Sequence, residues 1–475
     1  MGAGNEVRGG AGGAAAPRAV RARGRRWRSG PGLAFLAAGI AVAAALVAPI
    51  VVWWLTNPPD QRMVDLEVYR DGGRAVMRGA PLYEVLTQPP QLLPFTYPPF
   101  ASLLAVPFTV IPWKAAQWLW MALLYAALAV VVGYSFRDLI ARTGRWAPVT
   151  GGLLIGATAW MMPVFDQARF GQVGLMLMAL CLADCLTERP RWPRGMLVGL
   201  AVAIKLVPGV FLIYFLITGR REALGNAVLT AGAATLGAFA MLPGDSVDYW
   251  FGALLEGGDR TGAVNGTTNQ AINGMVARLY LPGPLGTLLW LVLVAIVGYA
   301  GFRLARRVTL LADALDPAAR PGDGSAGAAR ARVRLRDGGG DRAVTARGLR
   351  LAAAAIVGLL SVLLSPVGWI HHLVWIVPVL GALVGDGRDV RRRLAAAVVW
   401  VWFLFPLPWW GARLIGLQHG LLTKIPGKIV QDAYGLAAVV LLLLLGRWLV
   451  NRQVTEVPDG PDASRGRSGV DTLAL

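Results

Sequence analysis

Leu33 to Leu55 is an apolar run without one charged side chain, and it is the first of several in the chain. A run of that length crosses ~30 Å of hydrocarbon as a helix. Lipid offers no partner to a backbone amide, so a chain made of such runs is restricted to helices that satisfy their own hydrogen bonds. Composition agrees: 56% of the 475 residues are hydrophobic and 15% charged, too apolar for a water-soluble domain. An all-α polytopic membrane protein is expected. The formal charge of +19 does not imply nucleic acid, because the arginines fall in short clusters between apolar runs, the pattern of loops kept in the cytoplasm. The first run is too long for a cleavable leader and lacks a small-residue cleavage pattern, so it is expected to stay as a span.

Those clusters set an expected topology. Residues 1–32 are rich in Gly, Ala and Arg, with Arg18, Arg21, Arg23, Arg25, Arg26 and Arg28 near the first span, and read as a disordered cytoplasmic N-terminus. Residues 33–450 form the membrane domain, with about 12 membrane segments, and 451–475 a cytoplasmic tail. The large external loops are 56–98 and 243–284, and an Arg- and Gly-rich loop at 311–350 is cytoplasmic and without apolar periodicity. Between Arg194 and the pair Arg220 and Arg221 there are apolar residues for one ordinary span, yet both flanks are basic. The charge rule favours a short hairpin turning at Lys205 and Pro208; a single tilted span is the competing reading. Cys181 and Cys185 read as small packing residues.

The polar stretch after the first span, MVDLEVYRDGGRAVMRGAPLYE from Met63 to Glu84, is where chemistry is expected. As a helix it sets Asp65 and Tyr69 on one face, lays Val64, Val68 and Val76 on apolar surface, and stops at Gly79 before Pro81. A carboxylate held at the lipid-water boundary can take a proton from a sugar hydroxyl. Asp65 is the first candidate, Glu67 and Asp71 are alternatives, and the competing reading is an ordinary solvated loop carboxylate or an ion pair with Arg70 or Arg74.

Other candidates lie in loops expected on the same side. His371 and His372, two of the three histidines, follow Ser365-Pro366-Val367-Gly368-Trp369 and can hydrogen-bond a sugar or phosphate, or anchor the interface. Lys205 is an amine inside an apolar stretch, which is costly unless it meets an anion or snorkels. Arg169 and Gln172 can address a lipid phosphate or headgroup. Asn269 and Gln270 belong to an amide-rich stretch of the second external loop suited to sugar hydroxyls, and Tyr69, Tyr97 and Trp250 can stack on sugar rings or belt the interface. No phosphate-binding Gly-rich loop of the Walker type and no zinc motif occurs, so neither a nucleotide nor a metal cofactor is expected.

Taken together, VDLEVYRDGGRAVMRGAPLYE, FTYPPF, FGQVGLML, GLAVAIKLVPG, TTNQAINGMVARL and LLSPVGWIHHLVWIVPVL, in that order from residue 64 to about residue 380, resemble bacterial polyprenyl-phosphate-mannose-dependent mannosyltransferases of glycosyltransferase family 87, in the type C membrane class. The resemblance implies a type C glycosyltransferase-like fold whose extracytoplasmic loops form the active site. It implies that Asp65 is the catalytic acidic residue of the first extracytoplasmic loop, and that His371 and His372 lie at the site. It also implies a plasma-membrane enzyme that takes mannose from polyprenyl-phosphate mannose to a mannolipid or lipoglycan acceptor. The expected product is an α-1,2 link made by inversion, in the phosphatidylinositol mannoside, lipomannan or lipoarabinomannan pathway. A polyprenyl phosphate leaving group needs cations and donors, for which Lys205, Arg169, His371 and His372 are candidates. The alternatives are a transferase of arabinose or another hexose from the same lipid phosphate, and a lipid-sugar transporter or flippase. A transporter predicts inverted repeats and ionisable groups at the bilayer midplane, and the sequence shows no such repeat.

Overall fold

The computed structural model describes Gly2 and residues 30–58, 63–256, 262–316, 333–335 and 341–456. The expectations for residues 3–29, for 317–332 and 336–340 of the Arg-rich loop, and for the tail beyond 456 lie outside the described residues. Among the described residues the fold is helical, apart from two three-residue strands, Val333–Leu335 and Val454–Glu456, that pair antiparallel with Val333 opposite Glu456.

Among the described residues six helices are long and apolar enough to cross a bilayer, and two bent pairs, each taken as one span, raise the number to eight. The expected count of about twelve is not met at that length. Gly174–Leu186, Val207–Ile217 and Ile370–Val384 are shorter, at 10–17 residues. The expected span from Pro148 to Val164 is one of the bent pairs, breaking by 78° between Ala159 and Met162. Pro163 at the start of the second helix suits that break, since its ring cannot continue the preceding helix.

The helix Arg342–Leu363 is the centre of the bundle, and every residue from Leu351 to Leu363 is buried. Its alanine run and Gly358 let neighbours approach closely, with the Trp375 ring lying against Gly358. By contrast Arg221–Met241 and Gly283–Leu315 turn leucines outward, Leu229 at 72% and Leu236 at 69% exposure, as helices facing lipid do.

The basic turns gather at one end. Arg137 pairs with Glu188, Arg347 with Asp138, and Arg350 with both Asp313 and Asp316. Arg142 reaches the carbonyl of Asp386, and Arg306 that of Ile217. These ties explain why the long helices intrude on the expected 311–350 loop, one running on to Leu315 and the next starting at Arg342, where Asp341 caps it.

The segment between Arg194 and Arg220 folds back on itself. Met196–Ile204 leads away from the basic end, a short turn follows Lys205, and Val210–Ile217 returns. Arg194 and Arg220 line the same basic cavity, and Gly195 abuts Ala223, so the hairpin legs share one base. Lys205 is thereby carried to the opposite end, among the loops expected outside.

Candidate active site

A cavity of about 670 Å³ opens at that end, and Asp65, Gln172, Lys205, His371 and His372 all line it. It is built first by the helix Val64–Arg78, whose apolar face buries Val64, Leu66 and Val68. Gly79 ends the helix in the left-handed region at φ 64, its N–H donating to the carbonyls of Ala75 and Val76. The nearby arginines are engaged elsewhere. Arg74 pairs with Asp71 at 2.8 Å, and Arg70 donates to the carbonyls of Phe108 and Ile111 at 2.9 and 2.5 Å. Asp65 is therefore in no ion pair with either arginine, and of the three acids on this helix it is the one that lines the cavity.

Gln172 holds Asp65. Its Nε2 donates to Asp65 Oδ2 at 2.8 Å, and its Oε1 accepts from the Tyr69 hydroxyl at 3.1 Å. The residue before it makes this possible. Gly171 takes φ 67 to end the helix Met162–Phe170, and a side chain there would press on Leu66 and Met63. Only glycine gives both the left-handed turn and the close approach. The same turn is fastened to the start of the acidic helix, where the Met63 N–H donates to the carbonyl of Arg169.

Lys205 comes in from the hairpin tip. Its Nζ is 3.5 Å from Gln172 Oε1, 3.2 Å from His372 Nε2, and 5.0 Å from the centre of the Tyr97 ring. The far nitrogen of His372, Nδ1, accepts the Trp369 N–H at 3.2 Å. With Nδ1 accepting, a neutral ring carries its proton on Nε2 and points it at Lys205. The lysine then accepts, and it can do so only as a neutral amine. As an ammonium, Lys205 must turn from His372 toward Gln172, Asp65 or an anion in the cavity, so its charge is linked to what the cavity holds.

Burial pushes the Asp65 carboxyl up to about 6, with the Lys205 charge and the Gln172 bond holding it from going higher. A carboxyl in that range is ionised at neutral pH and basic enough to take a proton in a transition state.

Four of the expected site residues stand behind the wall. Tyr69 is buried and supports both Gln172 and Tyr97, its hydroxyl lying 3.1 Å from that of Tyr97. Arg169 stacks on Trp54 and Phe170 at 5.6 and 5.0 Å. Asn269 and Gln270 are fully buried. Asn269 Oδ1 accepts the Gly368 N–H at 2.9 Å, while Gln270 donates to the carbonyls of Thr267 and Gln431 and accepts from Gly435. Backbone bonds from Gln270 to Gly368 and from Ile370 to Thr268 complete the zipper. The amide-rich stretch thus positions the histidine turn, and its amides are occupied by protein.

Sequence reasoning passed over Asp166 and Phe170. Asp166 is a buried carboxylate on the cavity wall, and the Phe170 ring packs 5.2 Å from that of His371. The neighbouring Gln167 donates to the His371 carbonyl at 2.6 Å. The signal available was an acid two residues before Ala168-Arg169 inside an otherwise apolar region. A second hollow, about 580 Å³ and apolar, adjoins the site: Pro98 and Leu206 line both, and Val202, Leu236, Phe239 and Trp250 continue it.

The sequence profile described as glycosyltransferase family 87 matches residues 95–320. A Mycolicibacterium smegmatis protein named polyprenol-phosphate-mannose-dependent alpha-(1-2)-phosphatidylinositol mannoside mannosyltransferase is 33% identical, over 72% of this chain and 72% of its own length. A Mycobacterium tuberculosis protein of the same name is 34% identical, over 78% of this chain and 81% of its own. Among solved structures, ArnT from Cupriavidus metallidurans bound to undecaprenyl phosphate aligns over 88% of this chain and 77% of that one, with 15% identity and a TM-score of 0.38.

Proposed function

The chain belongs to glycosyltransferase family 87, and we propose that it transfers mannose from a polyprenyl-phosphate mannose to a phosphatidylinositol mannoside, forming an α-1,2 link. The relatives' names supply the sugar and the acceptor. The observation that carries the chemistry is Asp65, held by Gln172 at 2.8 Å in the cavity that also contains Lys205 and His372.

In this reading Asp65 accepts the proton of an acceptor mannose hydroxyl as that oxygen bonds to the anomeric carbon of the donor. The bond from that carbon to the phosphate oxygen breaks on the opposite face, and its electron pair leaves with the polyprenyl phosphate. A β-linked donor gives an α-linked product. In this reading the leaving phosphate gains charge, which Lys205 as an ammonium and the Nε2–H of His372 meet. The apolar hollow beyond Pro98 and Leu206 suits the isoprenoid chain of the donor. The reaction is assigned to the extracytoplasmic face of the plasma membrane, because the arginine-rich turns gather at the other end of the bundle.

The test is purified protein in lipid nanodiscs, offered polyprenyl phosphates bearing mannose, arabinose or glucose together with phosphatidylinositol mannosides. Mass spectrometry and NMR should find an added mannose in α-1,2 linkage. Transfer of arabinose or glucose in its place would overturn the donor assignment, and movement of the lipid across the bilayer with no new glycosidic bond would overturn the reaction.

A further inference from the structure

A second cavity, about 1380 Å³, is at the end away from Asp65. The central helix spans the interval, with Arg347 and Arg350 at this cavity and Ser361 and Leu364 at the catalytic one, roughly 20 Å apart by helical rise. Four separate chain segments deliver Arg137, Arg189, Arg194, Arg220, Arg347 and Arg350 to its lining. Against these six guanidinium groups the lining holds three carboxylates, Glu188, Asp313 and Asp316, and Asp138, outside the lining, pairs with Arg347.

The pairing within it is uneven. Asp313 is shared, at 3.0 Å from Arg350 and 3.5 Å from Arg220. Arg194 donates to the carbonyls of Asp184 and Thr187, at 2.7 and 2.8 Å, and meets no carboxylate among the described residues. Arg189 is exposed and has no ion-pair partner among them. A positive-inside bias needs arginines in the loops only, and single arginines at a surface satisfy it. Converging on one volume brings like charges together, which is unfavourable unless an anion compensates them.

The rest of the lining narrows the ligand. Val130, Gly133 and Leu186 line the same cavity, and Val130, 45% exposed on the outer side of the Trp113–Ser135 helix, carries it to the lipid-facing surface. A ligand that uses both walls has a phosphate for the guanidinium forks and an apolar part beside them.

We propose that this basic cavity is a second binding site, distinct from the catalytic one, for a phosphate-bearing ligand, with the headgroup of an anionic phospholipid of the adjoining leaflet as its occupant. Arg194 and Arg220 hold the two legs of the hairpin whose tip is Lys205, so an occupant here braces the element that carries that lysine.

The experiment uses full-length protein, stripped of lipid in neutral detergent and examined by native mass spectrometry and thermal unfolding. The probes are phosphatidic acid, phosphatidylcholine and inorganic phosphate. Wild type should retain phosphatidic acid over phosphatidylcholine by roughly tenfold or more and unfold at a higher temperature when it does so. Arg189→Gln combined with Arg220→Gln should remove that preference, and Arg189→Gln alone, which breaks no described ion pair, should reduce it. Arg388→Gln, exposed and outside the cavity, should not alter it. Displacement of the lipid by inorganic phosphate assigns the site to a soluble anion and overturns the lipid occupant, whereas retention against phosphate supports it. Equal retention of both lipids by wild type, or an unchanged preference in both arginine variants, overturns the site.

Discussion

Asp65→Asn keeps the side chain's shape and the oxygen that Gln172 Nε2 reaches at 2.8 Å, and removes the charge and the ability to take a proton. The effects on activity and stability have opposite signs. The folded value of the carboxyl, about 6, is above the ordinary 3.8, so the native state holds this proton more tightly than the unfolded chain. The resulting contribution is complete below 3.8 and is lost as pH rises through 6, a shift worth at most about 3 kcal/mol. Asparagine has no such term, but Lys205 loses its countercharge, which offsets part of the gain. The variant is therefore expected to exceed wild type by about 1–2 kcal/mol at about pH 8, and by almost nothing at about pH 4. Turnover should fall by about 10²–10⁴, the range for loss of a general base. Radiolabelled transfer and apparent Tm, measured in one detergent at both pH values, read the two effects side by side. Turnover within tenfold of wild type, on the order of the smallest effect a base can have, removes Asp65 from the mechanism. A Tm difference independent of pH removes the argument from burial.

Gln172→Leu deletes a hydrogen bond that stabilises the Asp65 carboxylate, so the acid limb of kcat/KM, expected near pH 6 in wild type, should move to higher pH; an unmoved limb would assign it to another group. Lys205→Met should raise the donor KM roughly 10- to 100-fold, with acceptor KM little changed, as initial rates against each substrate will show. Lys205→Arg keeps the positive charge that the phosphate meets and should recover part of the loss, the remainder reflecting the different shape of the guanidinium. Asn269→Ala leaves the Gly368 N–H without its acceptor and should lower stability by about 1–3 kcal/mol and reduce kcat, with the acid limb unmoved.

Much of this arrangement is legible in the sequence where neighbouring residues decide it. The acidic helix ends at Gly79 because glycine takes the left-handed turn and Pro81 cannot resume the helix. Asp65 and Tyr69 share a face, and one glutamine grips both. What composition alone did not reveal is which polar groups are already occupied. The amides of Asn269 and Gln270 looked suited to sugar hydroxyls, but backbone groups 99 and 165 residues further along the chain occupy them. Arg70 and Arg74 were plausible partners for Asp65, and they are taken by carbonyls and by Asp71. Such pairings depend on the tertiary fold, and no local pattern encodes them.

The hairpin at Lys205 shows how two sequence cues are weighed when they conflict. Length favours a single crossing, since the apolar residues between Arg194 and Arg220 are about enough for one span. Charge favours a return, because a crossing would carry one of two basic flanks to the wrong side. A single crossing would also leave Lys205 in mid-bilayer, where an amine costs several kcal/mol without a partner. Folding back removes both penalties. It returns Arg220 to the basic cavity and brings Lys205 to Gln172 and His372, in a cavity that also contains Asp65. An ionisable residue beside Pro208 in an apolar stretch too short for two crossings thus marks a tip that enters a site. The same charge pattern that sets the topology places the cation where an anionic leaving group would need it.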